Sequence, residues 1–147
     1  MNIAQGLIIL TPFPFSDQKS AKLRPALVIS SSKFNTKSKD IWVTAISSKE
    51  GNDEFKIHLN QKDLVLGTLN RSSFIKFTAI TTTEKTSIRK IVGQVNAIKI
   101  AEVVEKMARI LKPNYDWKKL SDESPKVFKK YGGGETYLKG ERKDWES

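Results

Sequence analysis

The sequence contains no cysteine and one histidine, His58, in 147 residues. Without cysteine there is no disulfide, no thiol nucleophile and no cysteine-ligated zinc or iron–sulfur site. With one histidine, acid–base chemistry built on two imidazoles is excluded, as is a histidine-rich metal site. Long hydrophobic runs are also missing. The apolar run near the start, Leu7 to Leu10, falls far short of the roughly 20 apolar residues that span a bilayer. The first residues lack the basic start of an export signal, and the expectation is a cytoplasmic protein with no membrane association. The hydrophobic fraction, 38%, is low for a globular chain, which places part of the chain outside the core.

Positive charge is plentiful. Twenty-six basic residues against 16 acidic ones leave a net charge of +10. Such an excess favours a polyanionic partner, but it sets the class of ligand rather than the chemistry. Residues 112–147 hold nine basic and seven acidic side chains, so +8 of the total resides in residues 1–111. The length suits one domain, burying roughly 68–70% of its unfolded surface.

The first 96 residues read as short strands separated by turn residues. Gly6 to Thr11 is a strand stopped by Pro12 and Pro14, and Ser16 to Leu23 is an exposed polar loop. Pro25 to Ser30 and Ile41 to Ser47 are buried strands joined by a polar stretch. Phe55, Ile57 and Leu59 alternate with Lys56 and His58, and two further strands cover Ser72 to Ile80 and Ile88 to Val95. The period then becomes helical. Ile100, Val103, Val104, Met107, Ile110 and Leu111 form one stripe, with Asn96 as N-cap and Pro113 past the end. The reading is a small, mostly β barrel with a C-terminal helix packed on its side. Residues 112–147 form an extension of different character, with three consecutive glycines and six aromatics. By composition it is a flexible tail, although six aromatics argue for docking.

The order Thr11-Pro-Phe-Pro-Phe-Ser-Asp, polar loop, Lys22-Leu-Arg-Pro-Ala-Leu-Val-Ile-Ser resembles the opening of the PemK/MazF toxin family. Ala45-Ile-Ser-Ser, Ser73-Phe-Ile-Lys and Ile91-Val-Gly-Gln-Val follow in the family's order, and the resemblance covers about residues 4–111. It implies an SH3-like barrel with a C-terminal helix, forming a homodimer. It further implies a metal-independent, cofactor-free endoribonuclease that cuts single-stranded RNA at short sequences. A cognate antitoxin would cover the RNA groove, and operator DNA would be contacted only through that antitoxin.

Metal-free cleavage uses the RNA's own 2′-hydroxyl as nucleophile. The protein then supplies charge for the developing phosphorane, an acceptor for the 2′ proton and help for the leaving 5′ oxygen. Arg24 is the first catalytic candidate. Its planar fork suits phosphate, Pro25 fixes the backbone beyond it, and arginine's persistent charge makes the role electrostatic. Ser47 is the second, standing where the family has a threonine. Its hydroxyl still donates to phosphate, but without the γ-methyl it is less preorganised. Lys76 and Thr78 replace an arginine and an aspartate that one branch of the family uses as acid and base, so that pair does not carry over. Asp17 is a substitute base to weigh against a merely solvated carboxylate. Lys19, Lys22, Ser48, Lys49, Phe55, Ser73, Lys76 and Thr78 are the RNA-binding candidates, with Phe55 either stacking a base or packing in the core. His58 is read as structural or surface.

Two other readings stay open on sequence: a barrel that binds RNA or protein without cutting, and, more weakly, a gyrase poison of the same fold. The extension could fold over the groove, add a helix beside residues 97–111 or extend a dimer.

Overall fold

The computed structural model describes residues 2–14, 21–49 and 54–114. Asp17, Lys19 and the aromatics from Tyr115 to Trp145 lie outside the described residues. The contacts divide the chain into Met1–Ile110 and Leu111–Ser147, and the first of these units is described below.

Seven strands form it: β1 (Leu7–Pro14), β2 (Ala21–Val28), β3 (Asp40–Ser47), β4 (Ile57–Leu59), β5 (Leu64–Leu66), β6 (Ser73–Glu84) and β7 (Lys90–Val95). Helix α1 (Ser32–Lys37) precedes β3, and α2 (Ala97–Ile110) follows β7. All pairings are antiparallel, in the spatial order β4-β6-β3-β2-β1-β7-β5. This order dictates curvature. Strands β4 and β5 are the two outer strands, yet the chain passes from Leu59 to Leu64 in five Cα steps, at most about 18 Å. Six flat strand spacings would need about 29 Å. The sheet therefore curls, and the expected mostly β, SH3-like architecture with a C-terminal helix is present.

Two apolar clusters follow from strand alternation. Ile8, Leu27, Ile46, Ile57, Leu59, Ile75 and Phe77 share one cluster with Val103 and Met107 of α2. Ile9, Phe13, Ala26, Val28, Ile41 and Val43 form the other. Register puts Ile8 opposite Leu27 and Ile9 opposite Ala26, so the clusters occupy opposite faces of β1–β3.

Several sequence expectations change here. Strand β1 does not stop at Pro12. It runs to Pro14 along β2, while its β7 ladder ends at Leu10, so from Thr11 onward it needs no donors toward β7. The polar stretch after Ile29 contains α1, capped by Ser31 Oγ accepting the Phe34 N–H at 3.1 Å. Its buried Asn35 donates to the Ile3 carbonyl at 2.9 Å and accepts from Ser30 Oγ. A single short helix anchored by an amide shows no apolar stripe. Strand β5 was also unread. It follows a 3-10 turn, Gln61–Asp63, and pairs with β7.

Helix α2 is capped as expected, with Asn96 Oδ1 accepting the Lys99 N–H at 2.8 Å. Its stripe is narrower than the sequence suggested. Val103 and Met107 are buried, whereas Val104, Ile110 and Leu111 are exposed. Lys99 ties the helix to the sheet edge through Asp63 at 3.6 Å and the His58 carbonyl at 3.2 Å. Among the described residues no helix is long and apolar enough to cross a membrane.

Candidate nucleic-acid interface

The second apolar cluster gives out toward the start of β2 and the end of β3. The same sheet face there becomes polar. Thr11 pairs with Arg24, Ser47 with Phe74, and Phe74 with His58. The β2–β3 ladder pairs Ala26 with Ala45, and the same register carried two residues further brings Arg24 level with Ser47. Because the order is β4-β6-β3-β2-β1, His58, Phe74 and Ser47 form one row across three adjacent strands, and Arg24 with Thr11 continues it on the same face beyond the end of the β2–β3 ladder.

The neighbouring row contains Lys76, Ala45 and Ala26. Arg24, Ser47 and Lys76 thus lie on one face around the small side chain of Ala45. Arg24, Ser47 and Lys76 are each half-buried. Ser47 Oγ accepts the Lys49 N–H at 3.2 Å. That bond consumes a lone pair and leaves the hydroxyl proton available for donation. It also supplies an anchor that the missing γ-methyl does not.

Below the row, Thr11 and Thr83 are buried and their hydroxyl oxygens lie 3.0 Å apart. A register irregularity in β6 opposite Thr44 and Ala45 is held by the buried Thr44 hydroxyl, 2.7 Å from the Lys76 carbonyl and 2.9 Å from the Ala79 carbonyl. Lys76 therefore owes its position to a buried threonine one strand away.

The other candidates distribute unevenly. Lys22 shares the face of Arg24, two residues earlier in β2, and Lys49 is exposed just beyond Ser47. Thr78 is exposed within the irregular stretch of β6. Phe55 is half exposed and meets Phe77, a member of the first cluster, edge to face at 6.3 Å, so it belongs with the opposite face. Ser48 and Ser73 also lie apart from the row. With Pro25, Thr68, Asn70 and Arg71 they line a cleft of about 440 Å³ bordered by Ile8 and Ile46 of the first cluster. Arg71, Asn70 and Thr68 carried no sequence signal beyond a polar loop. Phe74 was missed because it sits inside a strand motif and looks like core. Among the described residues no three His, Asp or Glu side chains are grouped as metal ligands.

A curled antiparallel sheet with a C-terminal helix and a cationic row on one face defines a class of small basic barrel proteins. The family model for the PemK-like, MazF-like toxins of type II toxin–antitoxin systems matches residues 4–111. The chain belongs to this family. Among curated protein sequences no relative matches. Solved structures agree on the fold. An endoribonuclease from a mycobacterial species, in complex with its cognate antitoxin, superposes with a TM-score of 0.61 at 12% identity, covering 78% of this chain and 99% of that one. A MazE–MazF complex from Deinococcus radiodurans gives a TM-score of 0.61 at 20% identity, covering 76% and 97%. A MazF toxin from Mycobacterium tuberculosis gives 0.58 at 15% identity, covering 74% and 99%.

Proposed function

We propose that the chain is a toxin that cleaves single-stranded RNA at short sequences without a metal ion. The observation that carries this reading is that Arg24 of β2, Ser47 of β3 and Lys76 of β6, on three adjacent strands, share one sheet face. In the proposed step the 2′ oxygen bonds to phosphorus and the bond to the 5′ oxygen breaks. The products are a 2′,3′-cyclic phosphate and a 5′-hydroxyl, with water taking the 2′ proton and supplying the proton of the 5′ oxygen. Arg24 and Lys76 carry the negative charge of the phosphorane, and Ser47 donates to a non-bridging oxygen.

Two of the similar structures are complexes with an antitoxin, which supports a protein antitoxin as partner; on this reading it covers the face that carries Arg24 and Lys76. The further reading is a cytoplasmic homodimer that meets operator DNA only through that antitoxin. The domain is residues 1–111, with 112–147 as an extension.

The test is cleavage of a long RNA in EDTA by wild type and Arg24→Ala, with mapping of new 5′ ends. Cuts at one short motif by wild type alone are expected. Equal cleavage by Arg24→Ala would remove Arg24 from the reaction. Salt-dependent RNA binding with no cleavage would instead establish a binding module, the outcome toward which the missing acid–base pair points.

A further inference from the structure

Phe74 and His58 stand at the end of the row that begins with Arg24 and Ser47. Their rings are 5.1 Å apart with planes inclined at 42°, and Lys56 Nζ lies 4.4 Å from the centre of the Phe74 ring. Strands β4 and β6 send Ile57, Leu59 and Ile75 into the first apolar cluster, so Phe74 and His58 project from the other face. His58 is exposed and Phe74 half-buried. An aromatic pair with an adjacent cation, outside both clusters and next to Ser47 in the register, has the chemistry that receives an unstacked base.

We infer that Phe74 and His58 form the platform on which one nucleobase of the RNA stacks, with Lys56 adding charge beside it. This rests on the ribonuclease reading and assigns a part of the substrate to a place. Spacing separates the roles. His58 is two strands from Ser47, about 10 Å at 4.8 Å per strand. The imidazole is turned onto the Phe74 ring, whose strand lies between it and Ser47. It is placed for the base of an adjoining nucleotide. Phe55, which the sequence left between stacking a base and packing in the core, is turned to the opposite face against Phe77.

The experiment uses the full chain and uncleavable 2′-O-methyl copies of the mapped cut site, with 2-aminopurine placed at successive positions. Stacking quenches its fluorescence. Quenching is expected at one position near the cut, lost in His58→Ala and in Phe74→Leu. Cleavage by these variants should show KM raised about fivefold or more, with a smaller change in kcat. His58→Phe should restore the quenching. The exposed site of His58 keeps the test independent of folding, and circular dichroism checks Phe74→Leu. Quenching and KM unchanged in both variants, with RNA still cut, would overturn the platform even if melting temperature falls. A wild-type protein that neither binds nor cuts RNA would overturn the ribonuclease reading itself, and the platform with it.

Discussion

Ser47 is the direct cross-strand partner of Phe74, and its Oγ also accepts the backbone N–H of Lys49. One short side chain is thus fixed between the aromatic pair and the backbone that follows β3. Ser47→Ala should lower single-turnover RNA cleavage by about a hundredfold to a thousandfold, the range for removing one transition-state donor. Ser47→Thr keeps the Lys49 bond and adds a γ-methyl that restricts χ1, so its rate should equal or exceed wild type. A rate for Ser47→Ala equal to wild type would limit Ser47 to ending the strand.

Arg24 tests geometry separately from charge. Arg24→Lys retains the charge but loses the planar fork, so cleavage should fall at least tenfold while thermal stability is nearly unchanged. Lys76→Ala should weaken RNA binding across sequences and reduce the log–log salt slope by about 0.7, one phosphate contact on a single strand. Titrations at several salt concentrations measure this, and an unaltered slope would take Lys76 off the RNA.

The Thr11–Thr83 pair makes a stability prediction. Thr11→Val leaves the Thr83 hydroxyl buried without its partner, at a cost of about 1–3 kcal/mol. The double variant Thr11→Val, Thr83→Val removes both groups and should recover most of that loss. Urea denaturation of the single and double variants decides it, and additive losses would contradict the pairing.

Gly67 and Gly93 set the approach of β5 to β7. Gly67 has φ +92°, and a Cβ there would be driven into the Val92 carbonyl. A Cβ on Gly93 would stand 2.9 Å from the Leu66 carbonyl. Gly67→Ala should therefore cost about 2 kcal/mol or more, from the left-handed backbone and the clash together. Because Thr68, Asn70 and Arg71 follow directly, the substitution should also displace the cleft loop, visible as amide shift changes in NMR spectra. Unchanged stability would mean that β5 relaxes away from β7 at no cost.

The legible parts of the fold were those with a strong local signal. Val103 and Met107 repeat at helical spacing, and Ile57 and Leu59 alternate, because each element buries one face. Helix α1 was not legible, since Asn35 anchors it through hydrogen bonds from an amide that reads as a loop residue. Val104, Ile110 and Leu111 were overread. Periodicity gives the direction of an apolar stripe, while the width that is covered depends on what packs there.

The candidate site divides the same way. From order and residue type, the sequence by itself determined the family, a barrel with a C-terminal helix, and the reliance of any catalysis on arginine, lysine and hydroxyls. Alternation sends neighbours in a strand to opposite faces, but it does not say which residues of distant strands share each face. Ser47 and Ser48 are neighbours, yet one lies on the cationic row and the other lines the cleft. Only the tertiary structure decided what each face holds, bringing Ser47, Phe74 and His58 of three strands into one row with Arg24 on the same face. The reason is register: each ladder sets which side chains share a face and a level, and register is decided by strand pairing between segments far apart in sequence.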